Sequence, residues 1–156
     1  MISKDKSAKA TAKMTEEVTV KTKAARAASR LLSRMSADVK NRALLNIAAA
    51  LESQQAPILK ANQEDYAAAQ KDGMNDAMLD RLLLDPKRLA GMAEDVRRVA
   101  ALPDPVGESL DMNTLPNGLM VSKRRVPLGV IASIYESRPN VTVDISVLCL
   151  KSGNAC

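Results

Sequence analysis

The stretch LPDPVGE, residues 102–108, divides this chain in two. Two prolines and a glycine within five residues stop a helix from running through, because proline lacks the N–H and clashes with the preceding turn. Upstream, over residues 16–102, apolar residues recur at helical spacing. VKTKAARAASRLLSRM is rich in Ala, Arg and Leu, all good helix formers. Ser36 is placed to cap a following helix, on which Val39, Ala43, Leu44, Ile47 and Leu51 share a face. Pro57 suits the first turn of a third helix carrying Ile58, Leu59, Tyr66 and Ala69, which Gly73 closes. NDAMLDRLLL reads as a short helix. Asp85 and Pro86 then read as a cap and first position opening KRLAGMAEDVRRVAAL.

Downstream the pattern changes. SLDMNTL and LMVSKRRVP are extended candidates separated by Pro116, Asn117 and Gly118, and Asn-Gly is a strong hairpin signal. After Pro127-Leu128-Gly129, VIASIY (130–135) reads as a short buried strand of β-branched residues. Two readings stand for 141–150. Val141, Val143, Ile145 and Val147 alternate with polar residues, which argues strand. Asn140 after Pro139 as a cap, and Gly153 past Lys151, argue helix. A helical layer followed by strands and a strand–turn–helix unit is the opening of an α/β domain.

Composition excludes several functions. The 156 residues are enough for one ordinary domain, and no stretch reaches the roughly 18 apolar residues of a membrane span. The basic start of MISKDKSAKATAKM lacks the apolar run of a signal peptide. With no His there is no Ser-His or Cys-His pair, and two Cys alone make a zinc site or disulfide framework a poor expectation. A reducing, cytoplasmic setting follows. The net charge of +5 sits at one end: residues 1–35 hold nine Lys/Arg against three Asp/Glu, and residues 36–156 hold fourteen against fifteen. The near-neutral body and the presence of only Tyr66 and Tyr135 as aromatics argue against nucleic acid as a partner. Residues 1–14 are expected to be a disordered basic tail; a targeting segment, or a true start at Met14, are the competing readings.

IYESRPN (134–140) packs a carboxylate, a hydroxyl, a guanidinium and an amide between two mostly apolar segments. At a helix start, backbone N–H groups favour an anion; Arg138 adds a bidentate anion contact and Asn140 an oxyanion donor. The plainer reading is a solvated turn with Asn140 as an ordinary cap. Cys149, flanked by Leu148 and Leu150, reads as a buried structural thiol. Lys123, Arg124 and Arg125 read as a solvated strand edge. Neither a dinucleotide fingerprint nor a P-loop is present.

LPDPVGE, PNGL, RRVPLGVIASIYESRPNVTVD and LCLKSGNA together resemble the γ-glutamyl phosphate reductases (glutamate-5-semialdehyde dehydrogenases) of the aldehyde dehydrogenase superfamily, from about residue 15 to 155. The resemblance implies that 15–156 is the N-terminal, incomplete part of a cofactor-binding domain. It implies NADPH-dependent reduction of glutamate 5-phosphate to glutamate 5-semialdehyde in proline biosynthesis, through a cysteine thiolate. It places Ser137, Arg138 and Asn140 near the substrate, with Asn140 at the oxyanion. The nucleophilic cysteine and the cofactor-holding loop are expected beyond Cys156, so neither Cys149 nor Cys156 inherits that role. The chain alone is then expected to be inactive, as a homo-oligomer or in assembly with full-length subunits. The alternative is a non-catalytic helical interaction protein with a basic N-terminal arm.

Overall fold

The computed structural model describes residues 14–156 in full and, over 2–13, the backbone of the first helix. Of the expected tail at 1–14, Met1 lies outside the described residues and the side chains of 2–13 are not described, while the backbone of 2–14 is the start of α1. The elements run α1 (Ile2–Leu32), α2 (Ala37–Ser53), α3 (Gln55–Lys71), α4 (Asp76–Leu82), α5 (Pro86–Ala101), β1 (Ser109–Thr114), β2 (Met120–Arg124) and α6 (Pro139–Lys151).

The helix signals act where the sequence put them. The Ser36 and Asn75 side chains accept from the N–H groups of Val39 and Met78, and Asp85 accepts from Arg88 with Pro86 in the first turn. Each satisfies a donor that a helix start leaves unpaired. At the end of α3, Gly73 takes φ +78, and the N–H groups of Gly73 and Met74 return to Gln70 and Ala69.

α2 lies along α5, and α6 packs against both. Their shared core is Leu44, Ala48, Ala93, Val96, Ala100 and Val147, with Ile47, Leu51, Val99, Val143 and Leu150 against it. Three alanines at this seam let the helix axes approach closely, while each larger aliphatic contributes about 1.5–3 kcal/mol by burial. The buried stripe of α2 is Lys40, Leu44 and Ala48, so Val39 is mostly solvent-facing instead.

β1 and β2 form an antiparallel ribbon with a bulge between Leu110 and Met112, and every residue of both strands is exposed. The turn closes as expected: Gly118 takes φ +84 and Asn117 Oδ1 accepts from the Leu119 N–H. Lys123 and Arg125 pair with Asp111 and Glu108 across the ribbon, and Arg124 donates to the Gly107 carbonyl.

Two expectations are corrected. Residues 130–135 form no strand: Val130 makes one parallel bridge, to Ala155, and Ile134 is wholly exposed. β-branched residues favour extended backbone, but a strand exists only where a neighbour supplies its hydrogen bonds. Of the two readings that stood for 141–150, the helix holds and the strand does not. The helix opens at Pro139, so Asn140 lies inside the first turn and is not the cap. Arg138 holds the cap position without a side-chain cap bond.

Candidate functional site

The segment from Pro127 to Gly153 is anchored by the SGNA motif. Gly153 ends α6 at φ +72, with its N–H on the Leu150 carbonyl and the Asn154 N–H on Cys149. Asn154, buried, accepts the Gly129 N–H on Oδ1 at 2.7 Å. Ala155 takes the Ile131 N–H and donates to the Gly129 carbonyl. The start of the 130–138 segment is thus tied to the C-terminal end of α6, and α6 carries the turn at its other end.

In that turn Ser137 adopts φ +52, a left-handed conformation that a residue with a Cβ takes at a cost. Its Oγ points at Met74 Sδ, 3.9 Å away, from the loop after α3. The Arg138 side chain is exposed. Asn140 Nδ2 donates to Asp144 Oδ2 at 3.2 Å, one helical turn on, and the Tyr135 hydroxyl bonds Thr142 Oγ1 at 2.8 Å. Pro139 and Asn140 also line a shallow cavity of about 230 Å³ with Arg81, Arg88 and Asp95. The structure therefore sets Ser137, Arg138 and Asn140 around one helix start. Asp144 takes one of the two Asn140 Nδ2 hydrogens, which leaves the other for an oxyanion.

A second cluster was not anticipated. The Lys40 ammonium is buried between both Asp104 carboxylate oxygens, at 2.6 and 2.8 Å, and the Lys151 carbonyl at 3.2 Å. Lys151, also buried, donates to Asn41 Oδ1 at 2.7 Å and the Ala100 carbonyl at 2.8 Å. Burial pushes the Asp104 carboxyl up, but the Lys40 hydrogen bond, the Val106 N–H and the two ammonium charges outweigh it. They hold the group below its ordinary 3.8. Burial pushes Lys151 down, partly opposed by Asp104. The one signal in the sequence was placement: Lys40 lies four residues before Leu44, and Lys151 four after Val147, each extending an apolar stripe.

A carboxyl held low in the folded state stabilises fully above its unfolded value, and that gain is lost as pH falls through the lower folded value. Asp104→Asn is therefore expected to melt below the parent at pH 7, with the gap closing below about pH 4. Thermal melts across that range check this; a gap independent of pH would refute the assignment.

Cys149 is buried and its thiol is pushed up, by burial first and by neighbouring Cys156 second. It is not a ready thiolate. Among the described residues no cluster suited to a metal occurs, and no helix is long and apolar enough to cross a membrane.

Capped helices, an exposed two-stranded ribbon and a turn that leads into a final helix define the opening of an α/β domain. The comparisons make this specific: the chain is similar, in sequence and in fold, to the N-terminal part of γ-glutamyl phosphate reductases. It is 60% identical to that protein from Dehalococcoides mccartyi strain CBDB1 over 139 residues, covering 89% of this chain and 33% of the relative. Against the Carboxydothermus hydrogenoformans protein it is 55% identical, over 90% of this chain and 34% of the relative. The crystal structure from Thermotoga maritima superposes with a TM-score of 0.85 at 41% identity, over 88% of this chain and 33% of that one. The Saccharomyces cerevisiae structure gives 0.81 at 36%, over 85% and 34%. The chain spans about a third of the length of the curated relatives it matches. No protein-family model matches it.

Proposed function

We propose that residues 15–156 are the first part of the cofactor-binding domain of a cytoplasmic γ-glutamyl phosphate reductase. The whole enzyme would reduce L-glutamate 5-phosphate to L-glutamate 5-semialdehyde with NADPH, in proline biosynthesis. The observation that carries this is the fold match to the Thermotoga maritima enzyme at 41% identity.

In this reading Ser137 and Arg138 lie beside the substrate, Arg138 offering a guanidinium to an anionic group. Asn140 donates to the oxyanion that forms when a thiolate attacks the acyl phosphate. In this reading that thiolate comes from elsewhere in the enzyme, because Cys149 is buried and burial pushes its thiol up. NADPH supplies hydride. Assembly with further copies or longer subunits is part of the same reading, the ribbon leaving an exposed edge for it.

The test is phosphate-dependent NADP reduction with pyrroline-5-carboxylate. A full-length protein containing this sequence is expected to turn over, and the 156 residues alone are not; turnover by the short chain would sink the reading. In the full-length protein, Asn140→Ala is expected to lower kcat about a hundredfold with little change in KM, the usual effect of removing one oxyanion donor. An unchanged kcat would remove Asn140 from the role.

A further inference from the structure

Three of the nine basic residues of the N-terminal segment face one place. Lys23, Arg26 and Arg30 sit three and four residues apart on α1, on a single helix face. With Thr22 and Ser29 they form one wall of a cleft of about 680 Å³, a size typical of small-ligand sites. Leu128, Gly129 and Val130 form the other wall.

We propose that this cleft binds a small phosphate-bearing anion. None of its lining residues is a carboxylate. Among the described residues, none of the three cations is in an ion pair, whereas Lys21, on another side of the same helix, is held by Glu17 at 2.6 Å. Three like charges on one face repel one another, and a bound dianion relieves that repulsion. Two guanidiniums present paired N–H donors that match phosphate oxygens, and Lys23 adds a point charge. The opposite wall fits the rest of an organic phosphate. A side chain is missing at Gly129, nothing lies within 4 Å of where its Cβ would stand, and Leu128 is 86% exposed. That leaves open backbone beside unburied apolar surface. The site is separate from the 137–140 turn, at the other end of the 130–136 segment.

Calorimetric titration of the 156-residue chain with inorganic phosphate and with adenosine monophosphate, against sodium chloride at matched ionic strength, tests this without any enzymatic readout. Saturable binding of phosphate or its ester is expected, weakened about tenfold or more in Arg26→Ala/Arg30→Ala. Equal affinity for the two probes identifies free phosphate as the ligand; tighter binding of the nucleotide, lessened by Leu128→Ser, identifies an organic phosphate. Amide shift mapping on the unmodified chain gives a reading that does not depend on the variant folding. Shifts should concentrate at Gly129, Val130 and Arg26–Arg30. Heats no larger than those with chloride, full binding by the double variant, or shifts centred on Arg138 would each overturn the proposal.

Discussion

Lys40→Ala is expected to lower the stability of this domain by about 3–5 kcal/mol, the usual cost of removing one partner from a buried ion pair. In a domain of this size that is a fall in melting temperature on the order of 10 °C. Lys40 is 1% exposed, and its ammonium contacts the Asp104 carboxylate and the Lys151 carbonyl together. Removing it strips the carboxylate of its direct cation and leaves the Lys151 carbonyl without that donor. It also opens a cavity beside Leu44, because the lysine stem continues the α2 stripe. Lys40→Met separates the two causes. It restores much of the stem volume but not the ammonium, so it should recover only the packing part. Because the pair is sheltered, added salt should change the difference little. Circular-dichroism melts of the three proteins decide the matter: a shift of only a degree or two for Lys40→Ala would mean that water replaces the ammonium without loss.

This cluster also shows where sequence reading ends. The four helices α2 to α5 were legible because their ends are local. Ser36, Asp85 with Pro86, and Gly73 each act within a few residues of themselves. The hairpin was legible for the same reason, through Asn117 and Gly118. The Lys40 contacts span 64 and 111 residues, and nothing near Lys40 announces Asp104 or Lys151. α6 misled differently. Val143 and Val147 face the core, but Val141 and Ile145 are also half-buried against other surroundings. A helix covered on several sides shows no clean 3.6-residue period, so its alternating β-branched residues imitate a strand. Of its two end signals, Gly153 acts as read, whereas Asn140 lies inside the first turn. At 130–135 the composition was right for a strand, yet among the described residues its one β-bridge is to Ala155. In the candidate site, the residue types and the helix start were legible. The left-handed Ser137 and the Asn140–Asp144 bond were not, because both depend on where the turn sits in three dimensions.

Gly153→Val is expected to cost about 4 kcal/mol, from two independent sources. The first is conformational. Gly153 sits at φ +72, and a β-branched residue there pays roughly 1–2 kcal/mol for the left-handed region. The second is steric. A Cβ at this position would stand 2.9 Å from Pro127 Cγ and 3.3 Å from Val106 Cγ2, and forcing atoms into a packed contact typically costs about 1–3 kcal/mol. Pro127 belongs to a constrained ring and cannot turn aside, so the end of α6 must move instead. Movement there breaks the bonds of Asn154 and Ala155 to Gly129 and Ile131, the ties that hold the start of the segment leading to the candidate turn. Gly153→Ala keeps the strained φ and the Pro127 contact but lacks the branched methyls, and should cost less, about 2–3 kcal/mol. Gly118→Ala is the control. It carries a comparable φ of +84 with nothing within 4 Å of the added Cβ, so it should show the conformational cost alone. Equal losses at Gly153 and Gly118 would show that the contact with Pro127 relaxes freely. A larger loss at Gly153, with faster amide exchange at Gly129 and Ile131, would show that the glycine is what lets α6 close onto the segment before the turn.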